Sequence, residues 1–316
     1  MSVSVLIPTF KRPDGLKRAL ASLAQQAVQP DEIVVVDNAP DGAARAACDQ
    51  IAAQHELAPI VFVEAPEPGV SSARNAGFAA AKGRFVAQLD DDESASPGWL
   101  CALLAARETL SAGVVFGPVE PSVEAAGAVR SAFCARLYAR RGAREDGLIE
   151  KPWGCGNSLI DRAEAALPAL PFDPRANEMG GEDDILFARL QSAGVRFGWA
   201  ANAVVTEHVD PARARIGAML RRAFAFGQGP SQTCKARGDM PGLARWMAIG
   251  AGQALIFSAL AAPARLTGAE HAAYCLDKAA QGAGKLVWGD FAAPRFYGRS
   301  DSFAAVAAKS TQDKVF

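Results

Sequence analysis

Short, uncharged apolar runs alternate with amphipathic segments along the first third of the chain, and this alternation limits the fold more than any other feature. Residues 3–8 form one such run, closed by the Pro8-Thr9 breaker. Residues 14–26 then set Leu16, Ala19, Leu20 and Leu23 on one helical face, with Asp14 as the expected N-cap. A second run, 33–36, ends at Asp37-Asn38-Ala39-Pro40. A helix at 42–55, a strand at 60–63, a helix at 71–81 and a strand at 85–89 follow. Buried strands joined by crossover helices imply an α/β fold with a mainly parallel sheet. In such sheets ligands gather beyond the carboxyl ends of the strands. Asp37, Glu64 and the run Asp90-Asp91-Asp92 stand at those ends.

Further along, Pro97 and Trp99 open a helix, 114–119 reads as a strand, and 121–150 shows no clean period. A Gly-rich turn from Trp153 through Gly156 and Asn157 precedes a strand at 158–160. Two glycines then lead into Glu182-Asp183-Asp184, which start a helix with Ile185, Leu186, Ala188 and Leu190 as its apolar face. A last strand runs over 204–208 and ends at His208.

The chain has 316 residues and a net charge of −1, which excludes a generally basic nucleic-acid binder. That neutrality is a cancellation. Residues 1–210 carry 19 basic and 28 acidic side chains, and residues 211–316 carry 14 basic and 6 acidic. Two parts are expected: an acidic body over 1–210 and a basic helical extension over 211–316. Six cysteines form no CxxC pair, and three histidines give no zinc-site spacing, so the cysteines read as buried thiols of a reducing compartment. The amino terminus lacks the pattern of a signal peptide, which makes a cytoplasmic location the expectation.

Three adjacent carboxylates at 90–92 repel one another, and a hard divalent cation relieves that repulsion; a solvated acidic turn is the plain alternative. Glu182-Asp183-Asp184 at a helix start is favoured by the helix dipole alone, or supplies a general base for an acceptor hydroxyl.

The segments VLIPTFKRP, IVVVDN, GVSSARNAG, LDDDE, GNSLI and GEDDIL, in this order over roughly residues 2–210, resemble family 2 glycosyltransferases. The resemblance implies the GT-A fold, a Rossmann-like, mainly parallel sheet flanked by helices. It implies nucleotide contacts from Pro8, Thr9 and Arg12, a nucleobase contact from Asp37, and less directly a pocket position for Glu64. Arg74 and Asn75 match positions near the diphosphate or ribose. Asp90 and Asp92 align with the outer members of a DxD motif. Asp92 is the implied direct ligand of Mg²⁺ or Mn²⁺, with Asp90 or Asp91 toward the ribose and His208 as a further candidate ligand. Asp183, with Glu182 as its competitor, matches the catalytic base of an inverting transfer. Gly156 and Asn157 match a loop facing acceptor and donor sugar, beside which Trp153 is a candidate stacking surface.

The extension has its own reading. Ile216, Met219, Leu220, Ala223 and Phe224 form an apolar stripe flanked by Arg213, Arg215, Arg221 and Arg222, and residues 246–262 hold no charge. Seventeen helical residues span about 26 Å, short of a ~30 Å hydrocarbon core, so an interfacial helix on an anionic membrane surface is expected. The Arg221-Arg222 and Gly227-Gln228-Gly229 signature resembles bacterial succinoglycan-type exopolysaccharide glycosyltransferases. That resemblance implies a UDP-sugar donor, glucose by preference, and a polyprenyl-diphosphate-linked or other glycan acceptor at the inner face of the cell membrane. Two rivals remain, a nucleotidyltransferase and a catalytically silent nucleotide-sugar-binding module. A dinucleotide dehydrogenase is disfavoured because no GxGxxG follows the first strand.

Overall fold

A computed structural model describes residues 2–39, 41–124, 127–177 and 181–289. Pro40 of the second strand's closing turn, the first of the two glycines before Glu182, and residues 290–316 of the basic extension lie outside them.

The apolar runs become strands because their β-branched side chains are shielded on both faces. The strand β1 (Val3–Thr9) lies at the middle of the parallel part, between β2 (Glu32–Asp37) and β4 (Phe85–Gln88), with β3 (Ile60–Glu64) beyond β2. The helices α1 (Pro13–Leu23), α2 (Ala43–Ala52) and α3 (Val70–Ala80) make the crossovers. Leu16, Ala19, Leu20 and Leu23 are all buried, as their spacing requires. Asp14 is not the N-cap of α1. Pro13 occupies the first helical position, so the cap falls on Arg12 and Asp14 lies within the first turn.

Past β4 the chain departs from the expected simple alternation. The run 114–119 is two strands in two sheets, β6 (Val114–Phe116) and β7 (Val119–Ser122), separated at Gly117-Pro118. Between β4 and them lie β5 (Glu93–Ala95) and the helix α4 (Trp99–Leu110). The unreadable stretch 121–150 contains α5 (Ala128–Tyr138) and β8 (Gly147–Ile149). Next come β9 (Ser158–Asp161), α6 (Glu182–Ser192), β10 (Phe197–Trp199) and β11 (Val205–His208). The main sheet has the order β3-β2-β1-β4-β9-β6-β10-β8, with β9 and β8 antiparallel to their neighbours. A smaller sheet has the order β5-β11-β7. The buried face of α6 is Leu186, Phe187 and Leu190; Ile185 and Ala188 point to solvent instead, because the helix turns toward the Phe116 and Phe197 rings.

After β11 come α7 (Ile216–Ala236), α8 (Met240–Ala261), the short α9 (Ala264–Thr267) and α10 (Ala269–Leu286). Met219 and Ala223 of α7 share a core with Phe133, Cys134 and Tyr138 of α5 and Ala273 of α10. Of the expected stripe, Ile216 is the exposed member. Helices α8 and α10 touch backbone to backbone: a Cβ at Gly282 would lie 2.5 Å from the Ala254 nitrogen, so only glycine permits that approach. All six cysteines are free thiols, but Cys101 is exposed and Cys234 half-buried, contrary to a uniformly buried set.

Candidate active site

Pairing in register places Thr9, Asp37 and Glu64 in one row at the carboxyl ends of β1, β2 and β3. Asp37 is buried, and its Oδ1 accepts the Ala39 N–H at 2.9 Å. Burial raises its pKa, against the pull of that hydrogen bond. Glu64 ends the row in solvent, 3.8 Å from Arg45.

The next strand end, after β4, carries the three aspartates, and the structure gives each a different environment. Asp91 is buried; its Oδ2 accepts from Thr9 Oγ1 at 2.8 Å and from the Phe10 N–H at 3.3 Å, and its Oδ1 from Arg12 Nη1 at 3.1 Å. Burial pushes this carboxyl up to about 6, with Arg12 opposing. The middle aspartate therefore ties the β1 loop to the acidic turn. Asp92 Oδ2 accepts from Arg12 Nη1 at 2.8 Å and from Arg213 Nη1 at 3.0 Å. Asp90 faces the other way, with Oδ1 3.3 Å from Arg74 Nη2.

Arg74 joins the two acidic clusters. Its Nη1 donates to Glu182 Oε1 at the start of α6, and both side chains are buried. Burial alone would lower the Arg74 pKa, but Cys155, Asp90 and Glu182 around it outweigh that and raise it. Glu182 is raised by burial, with Arg74 opposing. Asp183, one residue on, makes no such ion pair among the described residues; its Oδ2 accepts the Cys155 N–H at 3.3 Å.

The turn 153–157 closes the space between these clusters because its glycines lack side chains. A Cβ at Gly156 would lie 2.6 Å from Asp90 Oδ2, and one at Gly154 would lie 2.9 Å from Asp183 Oδ2. Trp153 is 38% exposed and leans on Trp199, with ring centroids 6.2 Å apart. Two expected contact residues sit differently. Asn157 is fully buried and its amide is spent on Trp99 Nε1 and on the Pro118 and Ala203 carbonyls. Asn75 is buried and clasps the backbone of Phe172 in both directions. Both hold the walls of the site rather than facing its opening.

Two arginines complete the arrangement without having been singled out as site residues. Arg140 is half-buried and donates to the Gly154, Gly156 and Asn157 carbonyls at 3.0, 2.7 and 3.1 Å. Burial lowers its pKa, with Glu93 and Asp90 opposing. Its sequence neighbourhood has no periodicity to mark it. Arg213, by sequence a flanking charge of the following helix, bridges Asp92 to Glu207, its Nη2 3.0 Å from Glu207 Oε1. Glu207 is held up to about 7 by burial, with Arg213 opposing.

Asp90 and Asp92 offer the hard oxygen donors that Mg²⁺ or Mn²⁺ prefers, so the residues fit such an ion in kind. Among the described residues no three His, Cys, Asp or Glu groups converge into a cage. His208 gives its backbone N–H to the Asp92 carbonyl at 2.7 Å, while its Nε2 lies 2.9 Å from Ser94 Oγ. Burial lowers its pKa, leaving the ring neutral at pH 7.

A large, mainly parallel sheet flanked by helices is the architecture of GT-A glycosyltransferases, and here one acidic cluster after β4 and another at the start of α6 meet at Arg74. Residues 4–159 match the family described as Glycosyl transferase family 2. The chain is 30% identical over 232 residues to the succinoglycan biosynthesis protein ExoM of Rhizobium meliloti (strain 1021), covering 72% of this chain and 74% of that protein. It is 35% identical over 109 residues to the validoxylamine A glucosyltransferase of Streptomyces hygroscopicus subsp. limoneus, covering 33% of this chain and 23% of that one. The crystal structure of S. aureus TarS 1–349 in complex with UDP shares its fold, with a TM-score of 0.53, 15% identity and 90% of each chain covered. The chain is an enzyme of glycosyltransferase family 2.

Proposed function

We propose that this enzyme moves a sugar, glucose by preference, from a UDP-sugar to a hydroxyl of a lipid-linked or polysaccharide acceptor, with inversion at the anomeric carbon. The observation that carries the reading is Arg74 bridging Asp90 and Glu182 while Asp183 stands beside Gly154 without an ion pair among the described residues. UDP is favoured by the UDP complex of the fold neighbour, glucose by the glucosyltransferase relative, and a cell-surface glycan by the succinoglycan relative.

In this reading the uracil lies over Asp37, and Pro8, Thr9 and Arg12 line the nucleotide. Asp92 and Asp90 would hold Mg²⁺ or Mn²⁺, with His208 adjacent; when bound, the ion neutralises diphosphate charge and eases its departure. Asp183 accepts the proton of the acceptor hydroxyl. The acceptor oxygen bonds to the anomeric carbon from the face opposite the diphosphate, and the bond from that carbon to the phosphate oxygen breaks with UDP as leaving group. Arg74 contributes a fixed, buried positive charge beside the leaving phosphate and needs no reorganisation during the step. Trp153 offers an exposed ring face to a sugar.

The division into a catalytic body over 1–210 and a basic extension over 211–316 belongs to the same proposal, with the extension resting on the inner face of the cell membrane. Helix α8 supports this: it is long and apolar enough to cross a membrane, only 11% of its apolar window is buried, and it packs along the charged helix α10.

The test is a panel of nucleotide sugars screened for thermal stabilisation and hydrolysis, with and without Mn²⁺. UDP-glucose should raise the unfolding temperature and be hydrolysed slowly. Stabilisation by a nucleoside triphosphate instead would favour the nucleotidyltransferase reading, and binding without any hydrolysis or transfer would favour a silent module.

A further inference from the structure

Two guanidinium groups converge on a single carboxylate oxygen, Asp92 Oδ2: Arg12 Nη1 at 2.8 Å and Arg213 Nη1 at 3.0 Å. They reach it from opposite ends of the sequence, and each is anchored by a second carboxylate. Arg12 keeps Asp91 Oδ1 at 3.1 Å, and Arg213 keeps Glu207 Oε1 at 3.0 Å through its other nitrogen. The arginines are also alike in access, with side chains 42% and 32% exposed. Arg213 is fixed further by the Tyr138 ring, 4.9 Å from its guanidinium carbon. Arg213 divides its partners, Nη1 on Asp92 and Nη2 on Glu207, whereas Arg12 reaches both Asp91 and Asp92 through Nη1; each shares the Asp92 oxygen that a divalent cation would take.

A cation held by Asp92 would compete with both guanidinium groups for that oxygen, while Asp91 and Glu207 still hold the arginines. Two positive charges released from Asp92 would then be best satisfied by an anion. We infer that Arg213, supplied from beyond the catalytic body, binds the donor's diphosphate opposite Arg12, so that the C-terminal helices complete the donor site as well as adjoining it. The inference rests on the donor-site reading proposed above. It gives α5 and α7 a role in donor binding, because Tyr138 and the segment leading into α7 set the position of Arg213.

The test is calorimetric titration of UDP into the full-length protein in saturating Mn²⁺, with Arg213→Gln, Arg213→Lys and Glu207→Gln beside the wild type. Loss of a charge-assisted bond to phosphate should weaken UDP binding about tenfold or more in Arg213→Gln. Arg213→Lys, which keeps the charge but not the fork, should fall between, and it stands in if the glutamine variant fails to fold. Glu207→Gln removes the anchor's charge but keeps an acceptor oxygen for Arg213 Nη2, so its affinity should stay within twofold of wild type. UDP affinity in Arg213→Gln within twofold of wild type overturns the inference. So does an equal loss in Glu207→Gln, which would make Arg213 a brace for Glu207. If the wild type itself binds no UDP, the donor-site reading fails and takes this inference with it.

Discussion

Arg74 and Glu182 form a buried ion pair that fastens α3 to the first turn of α6. That pair gives two adjacent carboxylates different partners: Glu182 is committed to a guanidinium, while Asp183, one residue later, accepts the Cys155 backbone N–H and the N–H of Asp184 and has no ion pair among the described residues. Breaking a buried pair leaves an uncompensated charge, so Glu182→Gln should cost about 3 kcal/mol of stability, read as a lowered unfolding midpoint in denaturant. Asp183→Asn should leave that midpoint nearly unchanged and UDP affinity within twofold, yet cut transfer by about 10²-fold or more. Near-normal turnover in Asp183→Asn would move the base elsewhere, with Glu182 the first place to look.

Arg140 holds the turn that brings Gly154 and Gly156 against Asp183 and Asp90, through three main-chain carbonyls. Among the described residues no carboxylate lies within 4.0 Å of it, so its worth is positional. Arg140→Lys keeps a cation but cannot serve three carbonyls from one nitrogen at this geometry. The expected result is a fall in kcat of about tenfold with little change in the KM for donor, since the nucleotide end of the site is untouched. A change confined to the unfolding temperature would assign Arg140 to stability alone.

The half of this arrangement built from strand ends was legible in the sequence. Thr9, Asp37 and Asp90 each follow a run of residues that must be buried, so their place at the sheet's carboxyl edge follows from local pattern. What joins them was not legible. The Arg213–Asp92 contact spans 121 positions, and Arg140 reaches Gly156 from a stretch without period. The three-residue strands β8 and β10 are too short for alternation to show and exist because neighbours pair with them. Asn75 and Asn157 are expected near the ligand only through the family resemblance. An amide has both donors and acceptors, and here the backbone of distant loops uses them, which local pattern does not show.

Asp91 and Asp92, adjacent in sequence, should respond differently to loss of charge. Asp92→Asn is expected to abolish the Mn²⁺ dependence of UDP binding while leaving the fold intact, because among the described residues its carboxylate bonds to two partly exposed arginines and nothing else. Asp91→Asn should instead lower the unfolding temperature, since an amide keeps one acceptor oxygen where Thr9 and Phe10 use one carboxylate oxygen and Arg12 the other. Calorimetry with and without Mn²⁺, paired with thermal unfolding, reads both. A Mn²⁺ dependence retained in Asp92→Asn contradicts the proposed metal site.

Glu207 gives the protein a pH signature near neutrality. Burial pushes its carboxyl in the folded protein up to about 7, above the ordinary glutamate range. As pH falls from 8 toward 5, the folded chain takes up a proton that the unfolded chain does not, so stability gains; the gain is lost again as pH rises through about 7. The slope is at most about 1.4 kcal/mol per pH unit. The stability of wild type relative to Glu207→Gln should therefore increase from pH 8 to pH 5. A difference between the two that stays constant over that range would show that Glu207 titrates as an ordinary carboxyl.

The outer face of α8 provides the test of location. Leu255 is 75% exposed and Ile256 54%, and neither touches the core shared by α5, α7 and α10. Arg245 and Arg265 bracket the uncharged stretch, so a helix lying in the plane of a bilayer can bury these side chains while its ends meet anionic headgroups. At about 25 cal/mol per Å² of apolar area, two such side chains contribute roughly 2–4 kcal/mol to binding. Replacing both with aspartate removes that gain and adds repulsion, without opening a cavity in the fold. The double variant Leu255→Asp/Ile256→Asp should keep wild-type UDP affinity and unfolding temperature but stay in the supernatant when spun with vesicles containing anionic lipid. Wild-type protein should sediment with those vesicles and remain free of neutral ones. Equal sedimentation of the two proteins would remove α8 from the membrane contact, and failure of the wild type to sediment would remove the membrane from the proposal.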